Sequence, residues 1–277
     1  MSDTEDYAPA AHYDRVTEAW GLLLGHELHY GYFETGQEDL ATATAALTSR
    51  LIENAAFRPG MRVLDVGCGT GAPACRLVAE QGVTVLGITT SEVGVAAARA
   101  RAREARLPGA TFEVRDGTDN QLPDASFDRV WVMESSHLMP ERQRLLDECA
   151  RVLRPGGRVV LCDLVRRREI PFLELRQRTE EFAVLRAAFG AARMDPLADY
   201  ADYAERAGLT DVETEDITVQ TRPTFDRWQR NVAEHRAEVT SILGAASVEQ
   251  FDRSCDILRA FWDDETLGYG LLTAVKR

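Results

Sequence analysis

Between Arg62 and Asp163 the chain switches hydrophobic period every few residues, and that alternation restricts the fold more than any other feature of the sequence. Short apolar runs stand at Arg62–Val66, Val83–Ile88, Thr111–Arg115, Asp128–Met133 and Arg158–Asp163. Stretches of helical spacing fall between them at 72–81, about 91–106 and 140–153, the last closed by Arg-Pro-Gly-Gly. Strands and helices taking turns in this way predict a parallel sheet with helices on both faces. Two later runs, near Asp211–Thr221 and at Gly268–Val275, complete a doubly wound, mostly parallel α/β sheet of seven strands. In such sheets ligands bind beyond the C-terminal ends of the strands, so chemistry is sought just after each one.

Around this core, residues 61–165, lie three other regions. Residues 1–60 predict N-terminal lid helices at Tyr13–Leu28 and Asp39–Phe57, separated by the aromatic turn HYGYF at 29–33. Residues 166–205 interrupt the alternation with helical, charge-rich sequence and predict a cap inserted after the fifth strand, over a ligand pocket. Residues 206–277 return to the sheet with a helical insertion.

Acidic residues outnumber basic ones, 45 to 32, for a formal charge of −13. A field of that sign repels phosphate backbones and anionic lipid, which argues against nucleic-acid and membrane partners. The five cysteines, at 68, 75, 149, 162 and 255, form no C-x-x-C pair. They read as thiols of a reducing compartment, with neither a disulfide frame nor a metal site indicated. The polar, acidic N-terminus carries no signal-peptide pattern. A soluble cytoplasmic protein is expected.

The first strand runs into Asp65-Val-Gly67-Cys-Gly69-Thr-Gly71. Glycines at alternate positions let the backbone turn sharply and approach a ligand without Cβ clashes. The loop also fits a lenient dinucleotide fingerprint, G-x-G-x-x-A. A dinucleotide site, however, wants an acidic residue at the end of the second strand, where this chain has Gly87-Ile88-Thr89-Thr90-Ser91. Asp65, at the tip of the first strand, suits a cationic ammonium or sulfonium better than a pyrophosphate. A turn or capping aspartate would occupy the same place.

VLDVGCGTG, GITTS, RDGTDNQLPDASFDRVWVMESSHLMP and ARVLRPGGRVVLCD, in that order and spacing, resemble the successive motifs of class I S-adenosylmethionine-dependent methyltransferases. The resemblance covers about residues 13–165, and weakly the terminal GYGLLTAVK. LHYGYF and GYGLL are similar to the bacterial natural-product subgroup that includes the rebeccamycin sugar O-methyltransferase, with tocopherol methyltransferases as relatives. It implies a Rossmann-like core that binds S-adenosylmethionine, releases S-adenosylhomocysteine and methylates a small-molecule acceptor, as a possible homo-oligomer. By position it implies that Asp65, Gly67 and Gly69 hold the methionine part of the cofactor, with Glu134 beside its tail. Thr89 and Thr90 stand at the ribose; Asp116, Gly117 and Thr118 at the adenine; Tyr13 and Tyr32 near the sulfonium. Glu134 as a helix-capping carboxylate and the aromatics as simple anchors are the alternatives.

Methyl transfer is an in-line displacement in which the protein aligns the nucleophile and excludes water. A hydroxyl acceptor also needs a base near pH 7. His137, on the loop after the fourth strand, is the candidate base or substrate positioner, and Asp163, ending the fifth strand, its orienter. His29 and Phe182 are expected to face the acceptor. Arg166-Arg167-Arg168 is the one concentrated basic run. Most such runs are solvated loops, but Arg166 and Arg167 could bind a carboxylate or diphosphate of the acceptor. O-methylation leads; C-methylation of a prenyl diphosphate, N-methylation and a cofactor-retaining cyclisation are the alternatives. A nicotinamide oxidoreductase is the competing class.

Overall fold

The structure is a computed structural model and describes residues 19–277. Seven strands form one sheet: β1 Arg62–Val66, β2 Thr84–Thr89, β3 Ala110–Val114, β4 Phe127–Met133, β5 Leu153–Arg166, β6 Leu209–Asp216 and β7 Leu267–Lys276. Their order is β3-β2-β1-β4-β5-β7-β6, parallel except at β7, which runs antiparallel to both neighbours. The order reverses between β1 and β4, which opens a crevice at their C-terminal ends. Helices α1 Leu40–Ala55, α2 Ala72–Gln81, α3 Glu92–Glu104 and α4 Arg142–Val152 accompany the parallel strands.

Alternation along the central strands separates two apolar layers. On β4, Val130 and Val132 join one cluster, and Trp131 and Met133 the other. On β5, Val159 and Leu161 part from Val160 and Cys162 in the same way. Neighbouring side chains of a strand point to opposite faces, so a continuous apolar run is what a strand covered on both sides requires.

Several boundaries differ from the sequence reading. In the expected helix at Tyr13–Leu28, the described part is helical at 19–23 and breaks where Gly25 turns left-handed (φ +87°). β5 begins five residues before Arg158 because Leu153 already pairs with Phe127 across a register shift, and it continues to Arg166, which pairs with Leu267. The sixth strand stops at Asp216, whose carboxylate accepts the backbone N–H of Thr218 at 2.9 Å and opens the short α8, Thr218–Thr221.

The segment 166–205 divides. α6 Thr179–Phe189, which follows the short α5 Phe172–Gln177, lies on the crevice side, against the long helix α10 Ala245–Asp263. α7 Leu197–Arg206 instead buries Tyr200 and Ala204 in the opposite layer, beside α4 and β6. α7 thus packs in the sheet's own helix layer. α9 Thr224–Leu243 and α10 form the insertion before β7. No described helix is long and apolar enough to cross a membrane.

Candidate active site

A cavity of about 860 Å³ opens at the β1/β4 crevice. That is in the upper part of the roughly 300–1,000 Å³ range of small-molecule sites. Asp65, Gly67, Gly69, Thr89, Thr90, Asp116, Gly117, Thr118, Glu134, His137, His29 and Phe182 all line it. Residues far apart in sequence converge there because each follows the C-terminal end of a strand or lies in a segment folded over those ends.

Asp65 is 3% exposed, and no described group hydrogen-bonds its carboxylate. Burial alone pushes its pKa up from the ordinary aspartate value to about 7. An ionised carboxylate left without donors in a dry wall lacks a cation. The glycine loop beside it divides its work. Gly67 (φ +81°) has no room for a side chain because a Cβ would collide with Ser135, so it lets the β1 and β4 loops touch. At Gly69 (φ +50°) a Cβ would meet nothing within 4 Å; its freedom serves the open cavity. At the end of β2, Ser91 Oγ accepts the Gly94 N–H at 2.8 Å and caps α3, which leaves Thr89 and Thr90 at the wall. Asp116 accepts from the backbone and hydroxyl of Thr118, both at 2.8 Å, fixing the loop after β3.

Glu134 leaves β4 in the left-handed region (φ +47°). Its Oε1 accepts the Tyr30 N–H at 2.9 Å and the Tyr269 hydroxyl at 2.6 Å. Burial raises its pKa, with His29, Tyr269 and Tyr30 opposing. The N-terminal segment is thus pinned across the crevice by a residue of the cavity wall. His29 is committed within that segment: Nδ1 donates to Tyr30 O at 2.7 Å, and Nε2 faces Glu27 at 2.9 Å and Thr48 at 3.1 Å. Burial would lower the His29 pKa, but Glu27 and Glu134 raise it. Burial likewise works against the Glu27 charge, but His29, Thr48 and Arg76 bring its pKa down to about 2.

His137 sits on a 3₁₀ turn, Ser136–Leu138, and forms part of the cavity wall. Its Nδ1 lies 2.6 Å from Asp163 Oδ1, so Nε2 is the nitrogen left for a ligand. Asp163 is fully buried behind it and also accepts from the His137 N–H at 3.0 Å, the Leu164 N–H at 2.8 Å and the Ser136 hydroxyl. Burial pulls each group towards neutrality; the mutual attraction prevails, lowering the Asp163 pKa and raising that of His137. The rest of the cavity is largely apolar, with Leu24, Leu164, Phe182, Leu185, Phe189, Met194, Trp228 and Leu258 in its wall.

Three expectations are corrected. Tyr32 does not line the cavity: its ring lies 5.0 Å from the Arg50 guanidinium, and its N–H bonds Ala43 of α1. Tyr30 takes the place at the wall. Arg166 and Arg167 do not reach the cavity either. Arg166 belongs to the β5–β7 ladder and donates to Arg168 O, while Arg167 pairs with Asp216 at 3.1 Å and Glu265 at 3.2 Å. His29 is at the wall, but both its nitrogens are taken. Tyr13 lies outside the described residues. Sequence reasoning missed Arg186, which is at the cavity and has no ion pair or side-chain hydrogen bond among the described residues. Its helix, α6, carries no motif that would single it out.

Comparison with known proteins agrees with this geometry. A methyltransferase domain model matches residues 64–161. A 27-O-demethylrifamycin SV methyltransferase of Amycolatopsis mediterranei (strain S699) is 36% identical over 265 residues, 95% of each chain. The chain belongs to the S-adenosylmethionine-dependent methyltransferases. The methyltransferase GfsG of Streptomyces halstedii is 36% identical over 216 residues, covering 77% of this chain and 76% of that one. Among solved structures, the [4+2]-cyclase SpnF superposes with a TM-score of 0.82 at 30% identity, over 96% of this methyltransferase and 95% of SpnF. The nicotinamide reading falls with this membership, and the Asp65 carboxylate, unpartnered among the described residues, fits a cationic cofactor.

Proposed function

We propose that this methyltransferase transfers a methyl group to a hydroxyl of a bulky, mostly apolar specialised metabolite, with His137 as the general base. The observation that carries the reading is the His137–Asp163 pair: one ring nitrogen fixed by a buried carboxylate at 2.6 Å, the ring in the wall of a cavity otherwise largely apolar. S-adenosylmethionine, when bound, supplies a methyl group already activated on a cationic sulfur. Asp65 would meet its ammonium, Gly67 and Gly69 its methionine chain, with Glu134 beside the tail. Thr89 and Thr90 would take the ribose, and Asp116 with the Gly117 and Thr118 backbone the adenine edge. His137 Nε2 accepts the acceptor hydroxyl's proton; Asp163 keeps the ring oriented and balances the imidazolium. The apolar residues of α6 and α10 enclose the acceptor and exclude water, and Phe182 packs against its body. Arg186, a cation at the wall without an ion pair among the described residues, faces any carbonyl or carboxylate that the acceptor carries.

O-methylation is supported by the name of the Amycolatopsis relative, and a bacterial origin by the source of both relatives. The five free, buried cysteines agree with a cytoplasmic location. The likeness to SpnF favours a second reading, in which the cavity folds an apolar acceptor for cyclisation and the cofactor is retained. Incubation with S-adenosylmethionine and a panel of hydroxylated polyketide and terpenoid acceptors separates the two. Stoichiometric S-adenosylhomocysteine with a product heavier by one methylene supports methylation. An isomerised product without S-adenosylhomocysteine supports cyclisation, and no binding of either cofactor form overturns both.

A further inference from the structure

Behind His137 and Asp163 runs a second set of buried polar groups that the proposed transfer does not use. Ser136 Oγ donates to Asp163 Oδ2 and lies 2.8 Å from the Tyr200 hydroxyl. An ionised carboxylate can only accept, so the single Ser136 proton points to Asp163 and Tyr200 must donate to Ser136. The Arg142 guanidinium faces the Tyr200 oxygen from the other side. Arg142, buried at the start of α4, also donates to the carbonyl of His137 at 3.3 Å and to that of Arg193. Arg193 N–H reaches the same His137 carbonyl at 3.0 Å, and its neighbours Ala191, Ala192 and Met194 form part of the cavity wall.

We propose that Tyr200 and Ser136 form a directed positioning chain that fixes the His137–Asp163 pair, and that Arg142, bonded to the His137 and Arg193 carbonyls, ties the pair to the 190–194 wall of the acceptor compartment. Every proton in the chain has one direction, each donor strengthening the next, and it ends on the carboxylate that orients His137. Tyr200 otherwise sits in an apolar layer with Leu145, Ala204 and Leu209, where a phenylalanine would pack as well. Its hydroxyl hydrogen-bonds only Ser136 among the described residues. The other charged or titratable groups that face the pair are Glu134 from the β4 loop, Tyr30 from the N-terminal segment and Cys162 of β5.

The inference rests on His137 being the base only for its consequence in catalysis, so the decisive readout is titration of the ring itself. Histidine side chains of the full chain are followed by nuclear magnetic resonance in wild type, Tyr200→Phe and Ser136→Ala, with His137→Gln to assign the signal. Loss of the Tyr200 donor weakens the Ser136 bond to Asp163 and makes the imidazolium less favourable. The His137 midpoint should fall by roughly half to one pH unit in Tyr200→Phe, and further in Ser136→Ala. Affinity for S-adenosylhomocysteine should stay within about twofold, since neither side chain lines the cavity. An unmoved midpoint in folded Tyr200→Phe overturns the chain, even if thermal stability drops. Should Tyr200→Phe fail to fold, an unmoved midpoint in Ser136→Ala does the same. If the midpoints shift but His137→Gln keeps full turnover on an acceptor, the chain stands and the base reading fails.

Discussion

Replacing Asp65 with asparagine should make the ligand-free protein more stable and its cofactor binding weaker. The Asp65 carboxyl is 3% exposed and burial alone raises it from 3.8 to about 7. The folded protein therefore binds a proton here that the unfolded chain has already lost. For a carboxyl raised in this way, stability is fully present below the unfolded value and falls as pH rises from about 4 to about 7. A shift near three units at 1.36 kcal/mol each amounts to about 4 kcal/mol of destabilisation at pH 8. A neutral amide avoids that charge but still buries polar atoms without partners, at about 1–3 kcal/mol. The net gain is about 1–3 kcal/mol, or roughly 2–8 °C in melting temperature for a chain of this size. The advantage should widen by roughly 1 kcal/mol between pH 6 and pH 8. Losing a charge-assisted bond to the cofactor's ammonium costs about 1.5–3 kcal/mol, which weakens its Kd by about 10- to 150-fold. Scanning calorimetry of both proteins at pH 6 and 8, with and without S-adenosylmethionine, reads all three quantities. An Asp65→Asn protein that melts no higher at pH 8, or that binds the cofactor as tightly as wild type, refutes the argument.

Removal of the proposed base, His137→Ala, should lower kcat by about 10²- to 10⁴-fold while calorimetric affinity for S-adenosylhomocysteine is unchanged. Because the ring must be neutral to accept a proton and Asp163 raises its pKa, kcat/KM in wild type should climb with pH through a midpoint above 6.5. Arg186→Ala should raise KM for an acceptor bearing a carbonyl or carboxylate by about 10-fold or more. The double change Arg166→Ala and Arg167→Ala should leave that KM alone and only lower the melting temperature, since their partners lie away from the cavity. Glu134→Ala removes the acceptor of Tyr30 N–H and Tyr269 hydroxyl; cleavage near residues 25–33 in limited proteolysis should accelerate several-fold.

The sheet was legible because burial on both faces leaves a mark in sequence: five apolar runs, each ending at a glycine, hydroxyl or carboxylate, locate β1 to β5 within a few residues. The ends of strands were less legible. Leu153 and Arg166 extend β5 through pairing with Phe127 and Leu267, and no local pattern announces a partner so distant. The wall residues on strand-end loops, from Asp65 to His137, could be found by motif because the backbone path itself is fixed by the glycine turn and the strand. The N-terminal and cap residues could not. Tyr30 and Tyr32 are chemically equivalent in LHYGYF, and only the bonds of Glu134 to Tyr30 and of Ala43 to Tyr32 decide which ring faces the cavity. The arginine run attracted a functional reading through its charge density, but Asp216, Glu265 and Glu174 neutralise it from separate elements. Arg186 drew none, because nothing in its sequence neighbourhood marks an arginine that stands at the cavity without an ion pair among the described residues.

Asp65 and Asp163 show why residue type alone leaves such roles undecided. Both are aspartates in strands of one sheet, β1 and β5, and both are almost wholly buried. Asp163 accepts from four donors and faces an imidazole, so its charge is favoured even in a dry wall. Asp65 has no such donors among the described residues, and burial disfavours its charge. Environments that push two like groups in opposite directions divide their chemistry. In the proposed function the carboxylate already satisfied, Asp163, balances a charge generated inside the protein when His137 takes up a proton. In the proposed function the other, Asp65, meets a charge brought from outside, so its cost to stability and its contribution to cofactor binding are two readings of one burial.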